Sequence, residues 1–319
     1  MRRALLILSI IAVSIYLNNA TWVRSKPQGE LTLLAHRGVH QTYSKIDLSR
    51  DQCTANRIDS PKHTFLENTI ESIEQAFLLG AETVEIDIHP TSDNKFVVFH
   101  DWTIDCRTEG KGVTRKHSLK YLQSLDIGYG YTHDNGKTFP FRGKGVGKMP
   151  SLTEVLDYFP SQQLLINIKS KNVSEIKLID QFLKNRPNEN LSRLSFYGNS
   201  TAIERLLSSH PKLKGFNKSS VKKCITNYEL IGWTGYIPKQ CRNTIVPIPI
   251  KYAAYIWGWP QLFVNRMKSV NTDVILIGLS DGHTDGIDDP VLINALSKNY
   301  RGIVWTDKIE EASTFNSLK

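Results

Sequence analysis

The chain has 319 residues, 40% hydrophobic and 22% charged, with no low-complexity tract and no internal repeat. This excludes a disordered or solenoid protein and leaves room for one large domain or two ordinary ones. Forty Lys and Arg against 31 Asp and Glu give a net charge of +9, which attracts anions in general. The basic residues are scattered and match no helix-turn-helix or zinc-finger pattern, so nucleic acid is not expected as a partner.

The amino-terminal MRRALLILSIIAVSIYLNNATW sets Arg2 and Arg3 before an apolar run from Ala4 to Leu17. That is the layout of an export signal. Residues 1–26 are expected to be a signal peptide or an N-terminal membrane anchor, and residues 27–319 the folded domain. Ala20 offers a small residue for cleavage; if the segment is kept, Tyr16 and Trp22 suit a membrane interface. The expected location is periplasmic or extracellular, or membrane-anchored facing outward. The four cysteines, Cys53, Cys106, Cys224 and Cys241, suit an exported chain with two disulfides. Three connectivities are open. Cys53 with Cys106 and Cys224 with Cys241 is preferred, the first pair lying on loops near one site and the second close in sequence; reduced, inert cysteines are the alternative.

From Leu31 onward, apolar runs of strand length alternate with segments of helical period. The strand candidates are LTLLAH ending at His36, ETVEIDI at 82–88, KFVVFH ending at His100, LLINIK ending at Lys169 and RLSFYG at 193–198, then LKGFN, TIVPI, DVILIG and GIVWT. Helices are expected over LENTIESIEQAFLLG, with Ile70, Ile73, Ala76 and Phe77 on one face and Gly80 as a stop, and over DPVLINALSKN, with Pro290 near its start. Nine strand candidates separated by helices predict an α/β fold, a (β/α)8 TIM barrel with one extra strand. A doubly wound sheet would place a glycine-rich fingerprint after the first strand, where this chain reads LLAHRGVH. Val39 to Leu66 forms a long first βα loop, and about 102–150 reads as a small insertion after the second strand.

Strand alternation points Glu85 and Asp87 to one face, at the end of a barrel strand where active sites lie. Two adjacent carboxylates repel, and a divalent cation bound by oxygen donors, Ca²⁺ or Mg²⁺, relieves the repulsion; salt-bridged acids on an edge strand are the alternative. His36 and His100 each close an apolar strand run and are expected at the same rim, as general base and general acid.

These residues resemble the glycerophosphodiester phosphodiesterase family. The likeness rests on HRG at His36–Gly38, ENT at Glu67–Thr69, EIDIH at Glu85–His89 and HD at His100 and Asp101, continuing through LTEVL, INIK and GIVWTD. It implies a barrel that binds Ca²⁺ or Mg²⁺ and hydrolyses glycerophosphodiesters to glycerol 3-phosphate and an alcohol. Carried over by residue, His36 and His100 would be the acid/base pair, Arg37 would clamp phosphate, and Glu67, Glu85 and Asp87 would line or ligate the metal site. The family's Glu-x-Lys on the third barrel strand is replaced: the simplest register puts Asn167 in place of the glutamate and Lys169 near phosphate, and a shifted one uses Lys169 and Lys171. An amide oxygen can ligate the ion but brings no charge.

Two other readings stay open. One is a sphingomyelinase D-type phospholipase of the same fold. The other is a low-turnover binding module of the cell envelope, kept alive by Asn167. GKGVGK at 143–148 reads as a loop, DGHTDGIDD at 281–289 as a turn plus helix start, and YAAYIWGWPQLF as lipid contact, substrate cover or aromatic packing; His40 has no assigned role.

Overall fold

The structure, a computed structural model, describes residues 2–24, 29–49, 52–169, 172–186, 191–280 and 283–318. Its strands are β1 Thr32–His36, β2 Ala81–Pro90, β3 Phe96–Val98, β4 Gln163–Ile168, β5 Leu194–Gly198, β6 Lys214–Phe216, β7 Ile245–Pro249, β8 Asp273–Ser280, β9 His283–Asp285 and β10 Ile303–Thr306. Eight of them run parallel in the order β6-β5-β4-β2-β1-β10-β8-β7, a nearly closed TIM barrel. No ladder joins β6 to β7 among the described residues. Proline has no N–H to give to a ladder, and β7 carries two, Pro247 and Pro249.

The extra strand is the KFVVFH run. Only Phe96–Val98 is extended, and it pairs antiparallel with the end of β2 as a hairpin. A second antiparallel pair, β8 with β9, falls in a polar stretch that reads as a turn from sequence. Helix Ile70–Leu78 starts later than the expected 66, because Asn68 adopts φ +60° and Thr69 caps the first turn in a reciprocal box with Ser72. Ile73 and Ala76 are buried, and Gly80, at φ +95°, ends the segment. Helix Pro290–Ser297 is capped by Asp289, whose carboxylate accepts from the Val291 amide.

Most of the core lies between the outer face of the sheet and the helices, where Ile86, Ile88, Ile166, Phe196, Val246 and Leu276 are buried. A small cluster of Leu34, Leu165, Ile275 and Trp305 fills the barrel interior. A further cluster covers the barrel rim: Ala55, Ile58 and Leu66 from the first βα loop pack with Phe99, Ile104, Leu122, Tyr131 and Phe141 from the segment after β3. The two long loops therefore form one cap with its own apolar centre, and Cys53–Cys106 joins them. Gly130 passes against that disulfide, where a Cβ would come within 1.9 Å of the Cys106 carbonyl oxygen. Cys224–Cys241 is also formed, so both preferred pairings are present. In the YAAYIWGWPQLF stretch Phe263 is fully buried and Trp257 and Trp259 pack against the core, the structural one of its three readings.

Candidate active site

The site is assembled by strand register. His36, the last residue of β1, lies beside Glu85 of β2; Asp87 lies beside Asn167 of β4; Asn167 lies beside Tyr197 of β5. After His36 the chain turns sharply, Arg37 at φ 59° and Gly38 at φ +76°. A Cβ on Gly38 would come 2.6 Å from Ser72 Oγ, so glycine lets this turn press against the first helix. Left-handed backbone at Arg37 is costly for a non-glycine residue and turns its guanidinium into the site.

His36 Nδ1 lies 2.6 Å from Asp307 Oδ1, and Arg37 Nε donates to His36 Nε2 at 3.1 Å. A guanidinium can only donate, so Nε2 carries the lone pair and Nδ1 carries the proton shared with Asp307. Burial and the charge on Arg37 lower the His36 pKa to about 4, against the pull of Asp307. Burial alone would raise Asp307, but His36 and Lys45 hold it well below the usual carboxylate range. Lys45, from the first βα loop, also pairs with Asp285.

His100 repeats the arrangement. Its Nδ1 is 2.7 Å from Asp101 Oδ1, and Asp101 Oδ2 accepts from Arg107 Nε at 2.9 Å. Burial, Arg37 and Lys169 lower its pKa. Asp101, despite burial, is held well below its ordinary value by Arg107 and His100. Thr54 on the cap accepts from Arg107 Nη2 at 2.7 Å, which ties the second dyad to the first loop.

Glu85 and Asp87 are fully buried beneath the histidines. Glu85 accepts from the Tyr197 hydroxyl at 2.7 Å and from the Arg37 backbone amide at 3.3 Å, both neutral donors. Burial and the neighbouring Asp87 raise its pKa to about 8. Asp87 is better compensated: burial alone would raise its pKa, but Lys169 with Nζ at 3.0 Å, His100 and Arg37 with Nε at 3.3 Å hold it well below the usual range, and Asn167 Nδ2 at 2.9 Å and Asn68 Nδ2 at 3.3 Å donate to it. Glu67 bridges Arg37 and Arg107, 3.2 Å from each. Glu85 is thus a buried carboxyl with no bonded cation among the described residues, beside a second carboxylate, and Asn167 adds an amide to the group. This oxygen-donor set fits Ca²⁺ or Mg²⁺. A second group, His36, His40 and Asp307, offers ligand atoms within 4.8 Å of one another; its carboxylate carries the Lys45 ammonium, as Asp87 carries that of Lys169.

Above the carboxylates opens a pocket of about 480 Å³ lined by His36, Arg37, Lys45, His100, Asn167 and Lys169, with walls of Trp102, Tyr197, Phe216 and Trp305. Three cations and no carboxylate face it among the described residues, so it favours an anionic ligand with an apolar or aromatic-compatible substituent.

Residues 36–210 match the glycerophosphoryl diester phosphodiesterase family. The chain belongs to that family. It is 33% identical over 106 residues to a glycerophosphodiester phosphodiesterase of Caldanaerobacter subterraneus, a match covering 33% of this chain and 40% of that protein. It is 38% identical over 96 residues to one from Bacillus subtilis, covering 29% and 31%. The chain therefore spans well under half the length of these curated relatives. Among solved structures, a glycerophosphoryl diester phosphodiesterase domain from Mycobacterium tuberculosis superposes with a TM-score of 0.62 at 15% identity, covering 90% of this chain and 99% of that one. A phosphodiesterase from Oleispira antarctica, solved with the product sn-glycerol-3-phosphate, gives 0.56 at 18% identity, covering 90% and 97%. At these identities the structural likeness is one of fold.

Within the family pattern, all eight residues singled out from sequence, His36, Arg37, Glu67, Glu85, Asp87, His100, Asn167 and Lys169, meet in one cluster joined by the contacts above. His100 arrives two residues beyond the β3 hairpin instead of at the end of a barrel strand. Asn167 and Lys169 both contact Asp87, the arrangement the simpler register expects; Lys171, used by the shifted register, lies outside the described residues. Sequence reasoning gave no role to Asn68, Tyr197, Arg107, Lys45 or Asp307. Two of these had a signal, Asn68 in ENT and Asp307 in GIVWTD.

Proposed function

We propose that the chain hydrolyses glycerophosphodiesters to glycerol 3-phosphate and an alcohol by acid/base chemistry of His36 and His100, at a site that takes Ca²⁺ or Mg²⁺. The observation that carries this reading is the pair of imidazoles on one pocket, each with Nδ1 held by its own aspartate, so that Nε2 is the atom each can turn to a substrate, on His36 once Arg37 Nε, which donates to it in the free site, shifts to phosphate. Arg37 and Lys169 supply donors for the phosphate oxygens. Glu85, Asp87 and Asn167 would hold the cation, with Glu67 lining the site through Arg37. Bound there, the ion would draw charge from the non-bridging oxygens.

In this reading the glycerol 2-hydroxyl gives its proton to His36 Nε2 and bonds to phosphorus. The bond to the alcohol oxygen breaks as His100 Nε2–H protonates it. In the second step neutral His100 takes a proton from water, the hydroxide bonds to phosphorus, and protonated His36 returns its proton to the departing 2-oxygen. An incoming phosphate favours the imidazolium of His100, which Arg37 and Lys169 disfavour in the free site.

The test is a panel of glycerophosphocholine, glycerophosphoethanolamine and lysolipid with the purified full chain in detergent, with Ca²⁺, with Mg²⁺ and with chelator. Release of glycerol 3-phosphate that stops with chelator is expected. Saturable binding without turnover would overturn the proposal in favour of a binding module, and a cyclic phosphate from intact lipid in favour of a sphingomyelinase D-type enzyme.

A further inference from the structure

The amino-terminal helix Arg2–Asn19 plays no part in the site. Its apolar stretch, Ala4 to Leu17, is about 21 Å long at 1.5 Å per residue, shorter than the roughly 30 Å hydrocarbon layer of a bilayer, and spans one with local thinning and with Arg2 and Arg3 at one boundary and Asn18 and Asn19 at the other. It is long and apolar enough to cross a membrane by length and composition. Leu5, Leu6, Ile7 and Leu8 are consecutive, so they point to all sides, and each is 57–63% exposed. A helix apolar all round has no stripe to turn inward and no polar face to leave in water.

Its carboxyl end, by contrast, is built into the domain. The Asn18 and Asn19 side-chain amides donate to the Trp233 carbonyl at 2.9 and 2.8 Å. Arg266 donates through Nη1 to Asn19 Oδ1 at 2.9 Å and through Nη2 to the Asn18 carbonyl at 3.1 Å. The same Nη1 reaches the Tyr228 hydroxyl at 2.9 Å and the Gly232 carbonyl at 3.1 Å, so one guanidinium clasps the apolar helix and the barrel's outer layer together. Thr21 Oγ1 donates to the Gly258 carbonyl at 3.2 Å, and Ala20, the small residue suited to cleavage, is buried at 8% exposure. Around this junction Trp22, Trp233, Tyr236 and Tyr255 stand exposed, the residue types that settle at a membrane–water boundary.

We propose that residues 2–19 are a permanent transmembrane anchor, docked rigidly onto the domain by Arg266 with Asn18 and Asn19, and that its partner is a lipid bilayer. Arg2 and Arg3 at the far end place that end on the cytoplasmic side and the domain outside, where its two disulfides form. Trp233 and Arg266 sit at or beyond the carboxyl ends of helices Lys218–Ile231 and Gln261–Lys268, next to the amino ends of the following strands. The anchor is therefore at the opposite end of the barrel from the pocket, whose mouth faces away from the bilayer.

The full chain, carboxyl-tagged and expressed in a bacterium, is fractionated, washed with alkaline carbonate and analysed by intact mass. The expected result is membrane-retained protein whose mass includes residues 2–20. A mature terminus at Thr21 or later, or release by carbonate, overturns the anchor. Docking is read separately by tryptic cleavage between anchor and domain in detergent. Asn19→Ala, which leaves the barrel untouched, removes one acceptor of Arg266, and cleavage is expected to speed up roughly tenfold with phosphodiesterase rates unchanged. Arg266→Ala is expected to go further. Cleavage as slow as wild type in Asn19→Ala overturns the rigid junction.

Discussion

His36 Nδ1 and Asp307 Oδ1 lie 2.6 Å apart although 271 residues separate them in sequence. The first and last strands of the barrel are neighbours, and this contact is what their adjacency achieves at the rim. It fixes the tautomer that leaves a lone pair on Nε2, as the proposed base role requires. Asp307→Asn is therefore expected to lower kcat by about 10² or more with a small change in KM, and His36→Ala and His100→Ala by about 10² or more each. Steady-state kinetics on a glycerophosphodiester decide it; near-wild-type turnover in either histidine variant removes the acid/base assignment.

If the proposed cation binds at Glu85, its binding depends on pH. Its pKa near 8 means that below that value the free site holds a proton there, which a bound cation must displace. Affinity for Ca²⁺ should rise with pH up to about 8 and level off above it, by at most about tenfold per pH unit from this one group. Calorimetric titrations at pH 6.5 and 8.5 measure the difference. Equal affinities would mean that Glu85 is no ligand.

In the proposed site Asn167, whose Nδ2 donates to Asp87, would give the cation an oxygen without a charge. Asn167→Glu is expected to tighten Ca²⁺ binding, roughly tenfold, because a charged oxygen joins Glu85 and Asp87. A Kd that does not move takes Asn167 out of the site.

The Cys53–Cys106 bridge closes a loop of 53 residues and holds together the cap that supplies Lys45 and Thr54 to the two histidine–aspartate pairs. Replacing both cysteines by serine should cost about 2–4 kcal/mol of stability by urea denaturation. It should also reduce turnover more than the matching Cys224/Cys241 double variant, which lies away from the pocket. Equal losses would show that the cap does not organise the site.

The barrel and the placement of His36, Glu85, Asp87 and His100 near one rim were legible because their signals are local, whereas Arg37, Glu67, Asn167 and Lys169 were singled out through the family resemblance. An apolar run ending in a polar residue marks a rim position whatever surrounds it, and period two puts Glu85 and Asp87 on one face. Residues that act through a distant partner leave no such mark. Tyr197 reads as an ordinary aromatic in a strand until β5 is placed beside β4, and Lys45 and Arg107 read as loop charges until the cap folds over the mouth. KFVVFH has the composition of a barrel strand, and only the antiparallel pairing with Ile88–Pro90 shows that it turns back.

The seam between β6 and β7 has its own consequence. Phe216 stands on one side of it and Pro247 on the other, and both line the pocket. Parting them disturbs side-chain packing but breaks no backbone ladder, so this wall can be reshaped at small energetic cost. Evolution or an engineer seeking room for a bulkier alcohol would find the least resistance there, provided Tyr197, which stacks on Phe216 and holds Glu85, stays in place.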